Sequence, residues 1–173
     1  MMASFSTKKN VENVINSYSQ TIKNKKKTLV ICHGKVHKTK FKNSLLLNKR
    51  KNAEPNIVLN AWNDEFMKYL PKEYFDTIIM EHCPLSNPFD KRHNILWSNL
   101  RRILKKGGKI INSSILALYS KNVKGTWYRD MKLKDKKIVK GEVDKYLTKL
   151  KFKNIKHTPD KKRKGSYVTT MIK

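Results

Sequence analysis

The chain has 173 residues, and its 40 Lys and Arg residues against 13 Asp and Glu residues give a formal net charge of +27 at pH 7. This length is typical of one domain with a sizeable core, so we expect residues 1–173 to form a single domain in which residues 1–27 are an amino-terminal helix and a basic lead-in. The charge far exceeds what solubility needs, so a polyanionic partner is the first explanation to test, with nucleic acid ahead of an anionic membrane surface.

The basic residues are mostly Lys, whose point charges suit phosphate neutralisation better than bidentate reading of bases. Weakly sequence-specific binding is therefore favoured. The alternative explanation of the charge is a genome rich in A and T, whose codons favour Lys, Asn and Ile. In that case Asp and Glu would be less depleted than they are in this chain.

Two Cys residues, without a signal peptide or a transmembrane stretch, predict an intracellular protein with reduced thiols, in the cytoplasm, the nucleus or a virion.

The first elements in chain order are a helix and two short strands. Thr7 can cap an amphipathic helix, and apolar residues recur along it at three- and four-residue spacing: Val11, Val14, Ile15, Tyr18 and Ile22. After a basic turn, residues 28–32 form an apolar run that predicts the first strand, and residues 44–47 predict the second.

The central element is the run from Tyr74 to Pro84, whose apolar stretch between an Asp and a Pro predicts a strand buried on both faces. Asp90 can cap a following helix that ends at Gly107-Gly108, and an apolar strand follows over residues 109–118. The core stripe of this helix is expected to be Ile95, Leu96, Leu100, Ile103 and Leu104. Strand, helix and strand in this order form a βαβ unit.

The last third of the chain begins with an irregular basic segment, residues 119–140, whose Trp127, Tyr128 and Arg129 could stack on nucleic-acid bases. A helix over residues 142–150 and strands over 152–157 and 167–172 follow. The turn between the two strands, residues 159–165, is basic, so the chain is expected to end in an antiparallel hairpin with a basic tip.

These features resemble the class I S-adenosylmethionine-dependent methyltransferases. The resemblance lies in the strand at Phe75-Asp76, the helix ending in Leu104-x-x-Gly107-Gly108 and the strand after it, and it extends to Pro55–Trp62 as a third motif and to the final helix and strands. It covers residues 28 to 173. It implies an α/β three-layer sandwich with a mostly parallel, Rossmann-like sheet and an antiparallel carboxyl-terminal hairpin.

The resemblance also places the cofactor positions, and three acids that the family customarily has there are absent. His33 and Gly34 stand where the family has an acid and a Gly-rich loop, Asn48 stands where an acid binds the ribose, and Asn60 stands where Asp faces the adenine amine. The segment from Gly34 to Asn43 is short for a complete helix between parallel strands. Any remaining pocket is expected to be lined by His33, Gly34, Asn48, Asn60, Ala61, Trp62, Glu81 and His82.

No catalytic residue is assigned, because the motif Asp/Asn-Pro-Pro-aromatic of some family members is absent after Glu81-His82. Either residue could act as a general base, but a His at a strand end is more often structural. A zinc site formed by Cys32, His33, His82 and Cys83 has the right ligand types without the usual spacing, so no metal is expected.

Three functions are consistent with these observations. The leading one is a degenerate methyltransferase fold that binds nucleic acid; the others are an active methyltransferase acting on nucleic acid and a non-catalytic partner of another enzyme. The cofactor is accordingly none, or S-adenosylmethionine if the site is retained. The expected nucleic-acid contacts are Lys25, Lys26, Lys27, Lys35, Lys38, Lys40, Lys42, Lys49, Arg50, Lys51, Lys161, Lys162, Arg163 and Lys164.

Overall fold

The computed structural model describes residues 5–32, 41–81, 91–114, 133–161 and 167–173. In these ranges the helices are α1 (Lys8–Ile22), α2 (Asp64–Met67), α3 (Lys91–Ile103) and α4 (Leu133–Lys149), with a short 3-10 helix at Lys51–Ala53. The strands are β1 (Thr28–Ile31), β2 (Leu45–Asn48), β3 (Ile57–Val58), β4 (Phe75–Glu81), β5 (Leu104–Ser114), β6 (Lys153–Pro159) and β7 (Tyr167–Ile172).

The strands form one sheet in the order β3-β2-β1-β4-β5-β7-β6. Strands β1 to β5 run parallel, whereas β7 is antiparallel to both β5 and β6. The predicted architecture, a mostly parallel sheet with an antiparallel last hairpin, is therefore confirmed. Strand β4 is the fourth of the seven strands and is buried over most of its length, as its apolar sequence predicted.

The structure confirms helix α1, which was predicted from its apolar spacing. The Thr7 side-chain oxygen accepts a hydrogen bond from the Asn10 amide at 3.3 Å, which satisfies one of the free donors of the first turn. Val11, Ile15, Tyr18 and Ile22 are buried on one side of the helix. The same cluster contains Leu29, Ile31 and Ile78 from one face of the sheet, together with apolar residues of α3 and α4. A smaller cluster of Val30, Phe41 and Leu46, with Ile79 against it, lies on the opposite face, because alternate strand residues point to opposite sides.

The Gly pair does not end the helix before it, contrary to the prediction. Helix α3 ends at Ile103, and Leu104 already pairs with Phe75 as the first residue of β5. The pair lies inside β5 at an irregularity of the register, where Gly107 adopts a φ of 73°. Because Leu104 is fully buried, its burial within the sheet outweighs the tendency of the Gly pair to follow directly on a helix.

Two further expectations were wrong. Ile95 is 39% exposed, whereas Trp97 is buried in its place and packs edge-on against Phe152, with ring centroids 5.9 Å apart. The buried stripe of α3 is centred on Leu96, Trp97 and Leu100, so Ile95 lies just outside it. Helix α4 begins at Leu133, within the segment expected to be irregular, and continues through Gly141, since a single Gly costs a helix only about 1 kcal/mol. Trp127, Tyr128 and Arg129 lie outside the described residues.

None of the helices in the described ranges has the length and hydropathy that a membrane crossing requires.

Candidate functional site at the carboxyl edge of the sheet

Because β1 to β5 are parallel, their carboxyl ends meet at one edge of the sheet, here called the carboxyl edge; the opposite edge is called the amino edge. Ile31 pairs with both Leu47 and Met80, and Glu81 pairs with Ser113. This register brings the ends of β2, β1, β4 and β5 into one row. Ligands of open α/β sheets bind at this edge.

Asn48, the last residue of β2, lies at this edge as expected, and its side chain stabilises a turn. Its Oδ1 atom accepts a hydrogen bond from the Arg50 amide at 3.0 Å, and its backbone carbonyl accepts one from the Leu59 amide at 3.1 Å. An Asn that bonds the backbone two residues further on forms a common turn. The Asn48 side-chain oxygen, which would face a ribose in a cofactor site, is therefore already hydrogen-bonded within its own turn.

Asn60 has the same arrangement after β3. Its Oδ1 atom accepts from the Trp62 amide at 3.2 Å, and its carbonyl accepts from the Asn63 amide at 2.9 Å. Ala61 is buried, and Trp62 is half-buried against the main hydrophobic cluster. The residues expected beside an adenine thus form a compact turn before α2.

Glu81 ends β4 and is only 4% exposed, and it is the one buried Asp or Glu among the side chains that the structure describes. Its neighbour across the sheet is Ser113, whose hydroxyl lies 3.5 Å from the Met80 carbonyl. Asn112 is fully buried, and its side-chain nitrogen lies 3.8 Å from the Met80 sulfur. The Asn112 side-chain oxygen has no hydrogen-bond partner among the described residues.

Asn112 and Ser113 were missed by the sequence reasoning, although a signal was present. They are polar residues that directly follow the apolar pair Ile110-Ile111 at the end of a central strand, and polar residues in such a place merit attention. Together with Glu81 they place two buried polar residues, Glu81 and Asn112, and the partly buried Ser113 at the ends of β4 and β5.

The remaining cofactor candidates, His33, Gly34 and His82, lie outside the described residues, as does most of the segment between β1 and β2. Within the described ranges no three His, Cys, Asp or Glu residues are grouped to hold a metal ion. Cys32 is disulfide-bonded, which differs from the reduced thiols expected from the sequence.

Three residues at or just after the carboxyl ends of the first three strands are not carboxylates. Cys32 directly follows β1, Asn48 ends β2, and Asn60 lies two residues after β3. Ionised acceptors form hydrogen bonds about twice as strong as neutral ones, so the cofactor's hydroxyl and amine groups would be held less firmly here.

The predicted nucleic-acid contacts divide between the two edges. Lys49, Arg50 and Lys51 follow β2 at the carboxyl edge, and Lys161 follows β6, which runs in the same direction as β5. Lys25, Lys26 and Lys27 precede β1, and Lys42 precedes β2, so these four lie at the amino edge. Lys35, Lys38, Lys40, Lys162, Arg163 and Lys164 lie outside the described residues.

Neither a protein-family model nor a curated protein matches the chain. Solved structures do match it in fold. An S-adenosylmethionine-dependent methyltransferase from Archaeoglobus fulgidus is 14% identical over 97% of this chain and 95% of that chain, with a TM-score of 0.54. A 16S rRNA (adenine(1408)-N(1))-methyltransferase from Catenulisporales acidiphilia is 10% identical over 98% of this chain and 92% of that chain, with a TM-score of 0.56.

Phosphoethanolamine N-methyltransferase 2 of Haemonchus contortus is 13% identical over 93% of this chain, with a TM-score of 0.51, and this chain spans 52% of that longer one. At such low identities the similarity establishes the fold and not the activity. The sheet topology and these similarities together show that the chain has the class I S-adenosylmethionine-dependent methyltransferase fold.

Proposed function

We propose that this protein binds nucleic acid with low sequence specificity on a methyltransferase fold whose S-adenosylmethionine site is degraded. The observation that carries the proposal is the net charge of +27 on one domain-sized chain. A charge of this size produces a strong positive field, and the polymer that best matches it is one with closely spaced phosphates. An intracellular location stays a prediction.

The low specificity follows from the kind of basic residue. Exposed lysines such as Lys25, Lys49 and Lys161 have a single ammonium group on a flexible stem. Such a group neutralises phosphates but does not match the paired acceptors of a base edge as the Arg guanidinium does. Binding should therefore depend on salt more than on sequence.

The degraded cofactor site is supported by the two turns at the carboxyl edge. The oxygens of Asn48 and Asn60 accept hydrogen bonds from backbone amides two residues further on, and this local role explains both residues without a ligand. A site that relies on them would have to share these acceptors between the turn and the cofactor.

A second candidate, an active methyltransferase acting on nucleic acid, is favoured by a different observation. Glu81 is buried at the carboxyl edge beside Ser113, and a nearby Asn112 oxygen has no partner among the described residues. Buried polar groups at the end of a central strand are typical of a retained ligand site. The two candidates differ in whether S-adenosylmethionine binds.

Titration of the full chain with S-adenosylmethionine and with S-adenosylhomocysteine, by calorimetry and by thermal shift, distinguishes them. The proposal predicts no heat of binding and no shift in Tm at cofactor concentrations up to the millimolar range. Micromolar binding would refute the degraded site and raise the enzyme to first place. A chain that binds neither cofactor nor nucleic acid at low salt would point to the third function, a non-catalytic partner of another enzyme.

A further inference from the structure

The amino edge of the sheet, on the far side from the candidate site, has a lysine at nearly every strand. Lys25 and Lys26 precede β1, Lys42 precedes β2 and Lys72 precedes β4; Lys106 and Lys153 lie near the starts of β5 and β6. All six are exposed, and they are here called the amino-edge lysines: Lys25, Lys26, Lys42, Lys72, Lys106 and Lys153.

Hydrogen bonds of the Tyr18 side chain and of the backbone hold these strand starts in one row. The Tyr18 hydroxyl lies 3.0 Å from the Thr28 carbonyl and 3.3 Å from the Asn43 carbonyl, so it joins the approaches to β1 and β2. The Lys27 carbonyl accepts a hydrogen bond from the Asp76 amide at 2.9 Å, which joins β1 to β4.

The row continues on the other side of β4. The Lys173 amide donates to the Gly108 carbonyl at 3.0 Å, and Ile172 pairs with both Lys109 and Lys153. Strands β5, β7 and β6 therefore extend the same edge, and the amino-edge lysines follow one line across the sheet.

The acids at this edge are already neutralised by other lysines. Asp76 accepts from the Lys105 ammonium at 2.9 Å and from the Lys27 amide at 2.8 Å, and Glu73 accepts from the Lys173 ammonium at 3.0 Å. The pKa of Glu73 is lowered, chiefly by this hydrogen bond from Lys173. The amino-edge lysines thus have no ion-pair partner among the described residues.

We propose that the amino edge is a phosphate-binding surface for double-stranded nucleic acid, separate from the carboxyl edge and its candidate site. This inference rests on the proposed function for the nature of the partner and adds the surface that binds it. A duplex at this edge would leave the carboxyl edge open, so that nucleic acid and any ligand of the candidate site would not compete.

The chemistry of the edge favours a duplex over a single strand. Single-strand binding surfaces rely on exposed aromatic rings on which bases stack. At this edge Tyr18 is buried, and the half-buried Tyr74 ring is covered by the Lys27 ammonium, which lies 3.9 Å from its centroid. The Tyr74 hydroxyl is hydrogen-bonded to Ser19. Charge without a stacking platform suits the outer backbone of a double helix.

The described side chains of the edge also do not include the apolar groups that anchor a basic surface in a membrane. Among the side chains that the structure describes, the large exposed apolar residues are Phe5 and Ile95. Phe5 lies next to Ser6, which bonds to the end of β3, and Ile95 lies in the first half of α3, nearer the carboxyl edge. Neither lies at the amino edge.

The length of the row sets a site size. From β2 to β6 the sheet order contains five steps between neighbouring strands, which at about 4.8 Å each give about 24 Å. Each base pair advances a duplex by about 3.4 Å, so the row matches about 7 base pairs. Affinity for duplexes should increase steeply up to this length and more slowly beyond it.

The test compares two variants that remove equal charge. The amino-edge variant has Lys25→Gln, Lys26→Gln, Lys42→Gln and Lys106→Gln; the matched carboxyl-edge variant has Lys49→Gln, Arg50→Gln, Lys51→Gln and Lys161→Gln. Binding to duplex DNA and duplex RNA of 6, 8, 12 and 20 base pairs is measured by fluorescence anisotropy between 50 and 200 mM salt. Circular dichroism and thermal unfolding verify that both variants fold, which is expected because all eight side chains are exposed.

The inference predicts that the amino-edge variant flattens the slope of log K against log salt by about 3.6, at about 0.9 for each phosphate that is no longer neutralised. The carboxyl-edge variant should change this slope by less than about 1 on the same scale. The reverse result, or an equal flattening in the two variants, would overturn the inference while leaving the proposed function intact.

Absence of duplex binding by the unaltered chain at 50 mM salt would instead refute the proposed function itself. Vesicles of phosphatidylcholine with and without phosphatidylserine form a second arm. Binding only to the anionic vesicles, abolished in the amino-edge variant, would assign this edge to a membrane surface and overturn the nucleic-acid inference.

Discussion

Gly108 offers a sharp test of how the centre of this fold is built. It lies in β5 inside the irregularity of the register, between Leu104, which pairs with Phe75, and Lys109, which pairs with Thr77. A Cβ atom added there would lie 2.8 Å from the Leu104 Cδ1 atom and 2.9 Å from the Lys105 carbonyl oxygen. The leucine end can shift a little, but the carbonyl is fixed backbone, so Gly108→Ala must distort the strand.

The expected cost is that of overpacking a core, about 1–3 kcal/mol. For a chain of this length each kcal/mol lowers Tm by about 2–4 °C. Gly141→Ala is the matched control, since Gly141 lies in α4 and an added Cβ would have nothing within 4 Å. That change should stabilise the protein by about 0.5–1 kcal/mol, because Ala favours a helix over Gly.

Urea unfolding followed by circular dichroism and by Trp fluorescence measures both variants. The expected order of stability is Gly141→Ala, then the unaltered chain, then Gly108→Ala. A neutral Gly108→Ala would refute the close approach inside β5 and would favour the original expectation that the Gly pair only ends a helix. A destabilising Gly141→Ala would refute the uninterrupted α4.

Three further predictions concern the site and the pH dependence of stability. Asn48→Asp with Asn60→Asp keeps both turn acceptors and adds charge, so calorimetry should detect S-adenosylmethionine binding in the variant at concentrations where the unaltered chain gives none. Absence of binding in the variant as well would show that other missing groups limit binding. The pKa of Asp76 is lowered on balance: burial raises it, but hydrogen bonds from Lys105 and the Lys27 amide outweigh that effect. The ionised Asp76 therefore stabilises the fold at pH values above its usual pKa of 3.8, and this stabilisation is lost as pH falls through the lower pKa of the folded state. In acid titrations the free energy of unfolding of Asp76→Asn should fall less steeply than that of the unaltered chain. Burial raises the pKa of Tyr146 to about 12 from 10.0, so stability should decline as pH rises from 10.0 towards 12; Tyr146→Phe should flatten that decline in unfolding experiments, and an unchanged profile would contradict the assignment.

The sequence was informative where one physical signal dominated. The apolar spacing of α1 and the unbroken apolar run of β4 each admit one structure, and both were confirmed. The Gly pair was ambiguous, because Gly can either follow a helix or permit a close approach within a strand. Only the burial of Leu104 within the sheet, a long-range contact, decides between them.

The candidate site was less accessible to sequence reasoning. The resemblance placed Asn48, Asn60 and Glu81 at strand ends, and the topology places them at one edge of the sheet. It could not reveal that both amide oxygens bond their own turns, because such bonds depend on local backbone geometry. It also could not indicate which edge each lysine would reach, since that depends on strand direction and order.

The account's central claim is that this methyltransferase fold binds nucleic acid through phosphates with little regard to sequence. The most direct measurement is the affinity of the full chain for two 20-base-pair duplexes of unrelated sequence, titrated between 50 and 200 mM salt. Neutralisation of about six phosphates predicts a slope of log K against log salt near −5 and a loss of affinity of about a thousandfold across this range, equal for the two sequences. Binding that is absent at 50 mM salt, or that persists at 200 mM with a strong preference for one sequence, would contradict the claim.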